Sequence, residues 1–432
     1  MCIRDSVGSE MCIRDRFHPL LLRAILTAYR EEIVPIMIRY MLSREHRELD
    51  SSQQATDRRH HNAFKQLILR RCQVDITQAT PLASGLTPAD IFRVDYALTI
   101  QVYEDGQQTG MRLTAAPHSL VIKVGSHDAL GLAAQRYRSL PEEIKPYFAK
   151  HASSHDIFSD EPSDPGYLVL EDLTDAFKTL NERLRESDKR RVTAQQREMI
   201  GELIGTVSDT LTDIYGQTLI AHDSIVGSQT ARLYLARLEE KLLECGQPEH
   251  FPVLKPWFRG FHRGDRRYPA VEYYLNQLDR YKEQLQVRRL MLIHGDCHSR
   301  NIMLDDSHHV KIIDIDKIDF YGDYIYDFAQ LIEDIAVFQF LFIQDYPFRL
   351  PHESIVFPNS GDEPGVIETA ITYPSFSSEA VVHVQTLLCD RLAAFAGELG
   401  DIYWRERLWL AIALHLIRLI TKQQELPVAA VL

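Results

Sequence analysis

The stretch His294-Gly-Asp-Cys-His-Ser-Arg-Asn301, followed by Asp314 thirteen residues after Asn301, constrains this chain more than any other. Asp296 follows the apolar run Leu290-Met-Leu-Ile293 and falls in a loop. Asn301 opens a second apolar run, Ile302-Met-Leu304. Asp305-Asp-Ser-His-His309 reads as a turn, and Val310-Lys-Ile-Ile313 leads back to Asp314. Two short apolar runs around a polar turn predict a hairpin, with Asn301 and Asp314 side by side at its open end. Paired strands lie about 4.7–4.9 Å apart, close enough for an amide oxygen and a carboxylate to share one metal ion. Mg²⁺ takes oxygen ligands at about 2.0–2.1 Å and keeps phosphate oxygens in its shell. Asp296, five residues before Asn301, then faces a substrate hydroxyl. The spacing suits a phosphoryl-transfer site.

These residues resemble the aminoglycoside phosphotransferase and choline kinase family of the protein-kinase-like fold. The family's loop motif H-G-D-x-H-x-x-N is matched by His294, Gly295, Asp296, His298 and Asn301. Its hydrophobic pair followed by Asp is matched by Ile312, Ile313 and Asp314. Its G-D-x-x-x-D ahead of an apolar helix is matched by Gly322, Asp323 and Asp327, before Phe328-Ala-Gln-Leu331. Three motifs in order are a specific signal. The step from Asp314 to Asp323 is one residue longer than the family's, which makes Asp316 a competitor for the metal role. The resemblance implies an α+β, bilobal fold with a small, mostly β N-lobe and a larger helical C-lobe, and covers about residues 75–425.

At 432 residues the chain exceeds one typical domain. A formal net charge of −13 argues against a nucleic-acid surface. No stretch approaches the roughly 20 apolar residues of a membrane helix. The longest, Leu408–Ile420, is interrupted by His415 and Arg418 and reads as a buried helix. No signal-peptide core stands near the start. Met1-Cys-Ile-Arg-Asp5 recurs as Met11-Cys-Ile-Arg-Asp15. The duplication resembles translated sequencing-adapter sequence, so residues 1–16 are set outside the fold. Beyond them Cys72, Cys245, Cys297 and Cys389 are scattered, which predicts reduced thiols and a cytoplasmic protein.

Residues 17–72 read as a helical extension, with helices at 17–48 and 62–71. Strands are predicted at Ile76–Thr87, Ile91–Tyr103, Ser119–Val124 and Tyr167–Leu170, with a hairpin turn at Asp105-Gly106 and a helix at 128–140. These make residues 73–172 the N-lobe. Residues 173–432 form the helical C-lobe, with helices near 193–216, 229–245, 270–287, 325–343, 378–399 and 404–423. The Pro-, Gly- and Ser-bearing stretch 351–377 reads as a loop insertion.

Lys123 lies in the alternating strand Leu120-Val-Ile-Lys-Val124. A strand lysine in kinase-like folds neutralises nucleotide phosphates; the bland alternative is an exposed strand lysine. Its usual glutamate partner is not evident, since no Glu occurs between Lys123 and Glu142, and Gln135 is one substitute. Ser84, Gly85 and Thr87 resemble the family's phosphate-covering loop, with a plain turn the equal alternative. Leu170, Glu171 and Leu173 resemble the hinge whose backbone binds adenine. The resemblance makes Asp296 the residue that meets the substrate hydroxyl, His294 a support of the loop, and Asn301 and Asp314 the Mg²⁺ ligands. Asp323 and Asp327 read as helix cap and loop brace. Cys297 is a candidate reactive thiol only if something lowers its pKa.

The expected function is transfer of the γ-phosphoryl group of ATP, with Mg²⁺, to a hydroxyl of a small molecule. Ten acidic residues and two lysines in 305–345 point to an acceptor with a protonated amine, an amino-alcohol or amino sugar. The alternatives are a nucleotide-binding pseudokinase, an atypical protein kinase, and a metal-dependent hydrolase built on His294, Asp296 and His298.

Overall fold

The computed structural model describes residues 2–4, 10–12, 72–82, 90–104, 107–114, 118–151, 166–187, 193–220, 231–245, 260–263, 266–281, 284–335, 365–366 and 379–422. The extension helices at 17–48 and 62–71, the turn at Asp105-Gly106, and Ser84, Gly85 and Thr87 lie outside these residues. The repeated segments pair with each other: β1 (Cys2–Arg4) and β2 (Glu10–Cys12) are antiparallel.

The chain divides into two units, Met1–Ala176 and Phe177–Leu432. The first is built on β3 (Cys72–Pro81), β4 (Asp90–Glu104), β5 (Gln107–Thr114), β6 (His118–Gly125), α1 (His127–Arg138) and β7 (Gly166–Glu171). Its sheet runs β3-β4-β6-β7, with β5 also on β4, and every pairing is antiparallel. Alternation sets its inner face: Phe92, Val94 and Tyr96 of β4 and Leu120, Ile122 and Val124 of β6 are buried. Leu130, Ala133 and Ala134 of α1 pack against Leu168 of β7.

The second unit holds β8 (Lys178–Thr179), α2 (Leu180–Ser187), α3 (Ala194–Gln217), α4 (Ala236–Cys245), β9 (Phe261–Arg263), β10 (Arg266–Tyr268) and α5 (Val271–Leu278). Next come β11 (Met291–Ile293), β12 (Ile302–Leu304), β13 (Val310–Ile312), β14 (Asp319–Gly322), α6 (Tyr324–Glu333), β15 (Gly365–Val366), α7 (Glu379–Glu398) and α8 (Trp404–Lys422). A capping box starts α3: the Thr193 hydroxyl accepts from Gln196 N, and the Gln196 side chain accepts from Thr193 N. The helix buries Ile200, Leu203, Ile204, Val207 and Leu211. Every residue of α6 is buried, and α8 packs against it.

A mostly β unit followed by a helical unit is the α+β order that the sequence reading expected. Several boundaries differ from the pattern reading. The helix expected at 229–245 opens with one π turn, Ala231–Leu235. The one expected at 270–287 leaves α-geometry after Leu278. The hairpin β9–β10 was not anticipated, because three-residue strands give no periodicity to read.

Candidate active site

The hairpin forms as expected. Ile302 pairs with Ile312 and Leu304 with Val310. Ile313 N donates to Asn301 O at 2.9 Å, so Asn301 and Asp314 flank the open end. Asp314 takes a left-handed backbone, φ 60° and ψ 57°, which Asp tolerates better than most residues. That twist turns the chain into a single 3₁₀ turn, Ile315–Lys317. The turn carries Lys317 back to the loop, where its ammonium meets Asp296 Oδ2. Asp316 is half-buried within this turn, two residues beyond Asp314.

The loop motif has a structural reason at each position. Gly295 has φ 75°, and a Cβ there would overlap the Lys317 carbonyl oxygen. Gly322 lies against Ile293, with no room for a side chain. His294 donates from Nε2 to Ile313 O at 2.9 Å, and its Nδ1 accepts from Asp296 N at 3.3 Å. Both ring nitrogens are therefore committed to scaffolding, which leaves none for a metal. Among the described residues, no group of three or more His, Cys, Asp or Glu is disposed to hold a metal ion.

Asp323 caps α6 and also accepts from Tyr234 Oη and Arg407 Nε, each at 2.7 Å. Arg407 is 1% exposed and pairs in turn with Asp401, which takes Tyr324 Oη at 2.7 Å. Asp327 accepts from His294 N at 2.7 Å, Gly295 N at 2.8 Å and Tyr215 Oη at 3.1 Å. Burial pushes the Asp327 carboxyl up, and His294 and these donors pull against it. Ser299 is held by Asp334 through both its N–H and its hydroxyl. The loop is thus fixed to α6 at both ends.

Asp296 is 8% exposed. Gln330 Nε2 reaches its Oδ1 at 2.6 Å, and Arg418 Nη2 reaches the same oxygen at 3.0 Å. Burial alone would raise its pKa, but Arg418, Lys317 and His298 outweigh that and hold it well below the usual carboxylate range. Asn301 donates Nδ2 to Asp296 O at 3.0 Å. This commits the amide nitrogen and orients the side-chain carbonyl oxygen away from Asp296 O. Asn301 and Asp314 so supply two hard oxygen donors, the chemistry Mg²⁺ accepts. Lys317, Gln330 and Arg418 were not foreseen as site residues. The one available signal was Arg418, a charge inside an apolar helix.

Cys297 is fully buried, and burial pushes its thiol well up, so it is no reactive nucleophile. At least six of the ten acids in 305–345 have protein partners. Asp305 closes its own turn, Asp306 pairs with Arg183, Asp319 with Arg232, and Asp323, Asp327 and Asp334 hold the groups named above.

In the first unit, Lys123 is 5% exposed on β6, opposite Leu168 of β7. It lies close enough to His151 to help lower that imidazole to about 3, after the larger effect of burial. Gln135 is exposed on α1. Leu170 and Glu171 end β7. Glu171 N donates to Lys150 O at 2.8 Å, its carboxylate accepts from Lys150 N at 2.9 Å, and Leu173 is buried just beyond.

A two-unit α+β chain with an H-G-D-x-H-x-x-N loop tied to a buried helix has the make-up of a kinase-type phosphotransferase. Residues 149–346 match the model of APH, a phosphotransferase enzyme family. No curated protein matches it. Solved structures similar to it include a glucosamine kinase with glucosamine, ADP and inorganic phosphate. That pair is 12% identical over 89% of this chain and 82% of the other, with TM-score 0.42. An ADP-bound aminoglycoside phosphotransferase is 13% identical over 84% and 91%, TM-score 0.34. A choline kinase from Streptococcus pneumoniae is 12% identical over 83% and 98%, TM-score 0.31. No helix among the described residues is long and apolar enough to cross a membrane.

Proposed function

We propose that the chain transfers the γ-phosphoryl group of ATP to a hydroxyl of a small molecule. The observation that carries this reading is the set Asp296, Asn301 and Asp314, gathered at the open end of one braced hairpin. Asp296 orients the acceptor hydroxyl and takes its proton as the new O–P bond forms and the bond to the leaving ADP breaks. Asn301 and Asp314 hold Mg²⁺, which neutralises phosphate charge when bound. Lys123 contacts the inner phosphates, and backbone around Leu170, Glu171 and Leu173 receives adenine. Ser84, Gly85 and Thr87 cover the phosphates. Such catalysis is mostly positioning and charge neutralisation. An amino-alcohol or amino sugar was the expected acceptor class. Its basis, acidic side chains free to line the site, is weakened by the partners most of them have, so the proposal does not extend to an amine on the acceptor.

The test is ATP turnover by purified protein with Mg²⁺ against a panel of amino-alcohols, sugars and aminoglycosides. Acceptor-dependent ADP release that disappears in Asp296→Asn is the expected result. Turnover unaffected by Asp296→Asn would refute the reading.

A further inference from the structure

Buried polar atoms are paired in the large majority of cases, so a cluster of unpaired ones beside a catalytic carboxylate calls for a ligand. Three such atoms lie along the seam between α6 and α8. Gln330 spends its Nε2 on Asp296, and its Oε1 is buried without a hydrogen-bond partner among the described residues. Flipping the amide would set its oxygen against the Asp296 carboxylate, so this orientation is the only favourable one. Glu333, one turn along α6 and 5% exposed, has an unpaired Oε1. Residues three apart share a helix face. His415 of α8 donates from Nε2 to Tyr326 O at 3.2 Å, which leaves its Nδ1 as a bare acceptor, and that atom too is unpaired. Its Tyr326 partner lies one turn before Gln330 on α6. His415 stands one turn before Arg418, the residue that grips Asp296.

All three orphans can accept hydrogen bonds, and Glu333, when protonated, can also donate one. The cations nearby, Lys317 and Arg418, are engaged with Asp296. An acceptor molecule bearing phosphate or carboxylate would add further acceptors to a set in which acceptors outnumber donors. An apolar alcohol would leave the orphans unsatisfied, which is costly for buried polar groups. An ammonium supplies donors but would meet Lys317 and Arg418. Hydroxyl groups supply donors without charge.

We propose that Gln330, Glu333 and His415 form the acceptor subsite beside Asp296, and that they select a neutral polyol, one with hydroxyls flanking the hydroxyl that is phosphorylated. The inference rests on the phosphotransferase reading and names its substrate class. Glu333 suits the role. Burial and the neighbouring Asp334 push it up to about 8, against the pull of Arg418, so at neutral pH it keeps a proton. A neutral carboxyl can donate to a hydroxyl and accept from it.

The test is equilibrium binding to the full chain, loaded with Mg²⁺ and a non-hydrolysable ATP analogue, read by ligand-observed NMR. The probes are glycerol, myo-inositol, D-glucose, 1-propanol, ethanolamine and glycerate. The polyols should bind at least about tenfold more tightly than 1-propanol, ethanolamine or glycerate, since tenfold is about 1.4 kcal/mol, roughly one hydrogen bond. Glu333→Leu should weaken polyol binding by a similar factor, with the affinity for the ATP analogue unchanged. Glu333→Gln, which keeps both donor and acceptor, should bind polyols nearly as well as the wild type. Binding of no polyol, preference for the amine or the anion, or polyol binding indifferent to Glu333→Leu would overturn the proposal. Polyol binding as expected, with no phosphorylation of the bound polyol by ATP, would instead refute the phosphotransferase reading and leave the subsite standing.

Discussion

Replacing Glu333 by glutamine should change how stability depends on pH, and the size follows from the site. An ordinary glutamic acid titrates at 4.5, whereas Glu333 is pushed up to about 8 by burial and by Asp334, with Arg418 opposing. From 4.5 to about 8 the folded chain holds a proton that the unfolded chain has lost. Stability therefore falls as pH rises through that window. At 1.36 kcal/mol per pH unit the full cost is about 5 kcal/mol. Glutamine keeps the shape and cannot ionise. The variant should match the wild type near pH 4.5 and gain on it by several kcal/mol at pH 8 to 9. Urea unfolding of both proteins from pH 4.5 to 9 measures this, because titrations common to the two cancel in the difference. The groups facing this carboxyl are Asp334, the cap just past α6, and Arg418 on α8, and both remain in the variant. A difference that stays flat with pH would refute the reasoning.

Asp296→Asn should lower turnover by about 10²–10⁴-fold, the usual contribution of a general base, with nucleotide affinity little changed by calorimetry. Asp314→Ala should abolish Mg²⁺-dependent turnover while Asp316→Ala only weakens it; the reverse order in a kinetic assay would show that the wrong carboxylate was chosen. Arg407→Met should cost about 3–5 kcal/mol in chemical denaturation, since it strips Asp323 and Asp401 of their buried counter-charge. Removing residues 1–16 should leave the thermal midpoint unchanged, because the strands in that segment pair with each other.

The hairpin was legible because its chemistry is local. Strand, turn and strand lie within one short stretch, so spacing alone set Asn301 beside Asp314. The bracing roles of Asp323 and Asp327 were legible for the same reason, since a carboxylate at a helix start has few other tasks. What was not legible is what long-range packing brings in. Arg418 lies 122 residues from Asp296 and Gln330 lies 34. Nothing in local pattern says that α8 crosses α6 at that point. Lys317 depended on the left-handed turn at Asp314, which no periodicity signals. The acid-rich segment is a weak guide to the acceptor because charge counting ignores partners. Arg183 and Arg232, which neutralise Asp306 and Asp319, come from elements far away in the chain.

The surroundings of Asp296 bear on how the proposed transfer proceeds. A carboxylate oxygen has about two lone-pair sites. Oδ1 uses both, on Gln330 and Arg418, and Oδ2 uses one on Lys317. The place left for a hydroxyl is therefore on Oδ2, beside the ammonium. That same pair of cations makes Asp296 a weak base. Weak basicity would be a fault if the hydroxyl had to lose its proton before attack. A loose, metaphosphate-like transition state demands little of the nucleophile, so the proton can leave late and the carboxylate's main task is aim. Aim is what the rest of the loop supplies. His294 and Gly295 are pinned to Asp327, Ser299 is pinned to Asp334, and the start of the same helix is anchored through Asp323 and Arg407. The buried acids of α6 thus spend their charge on holding one other carboxylate still.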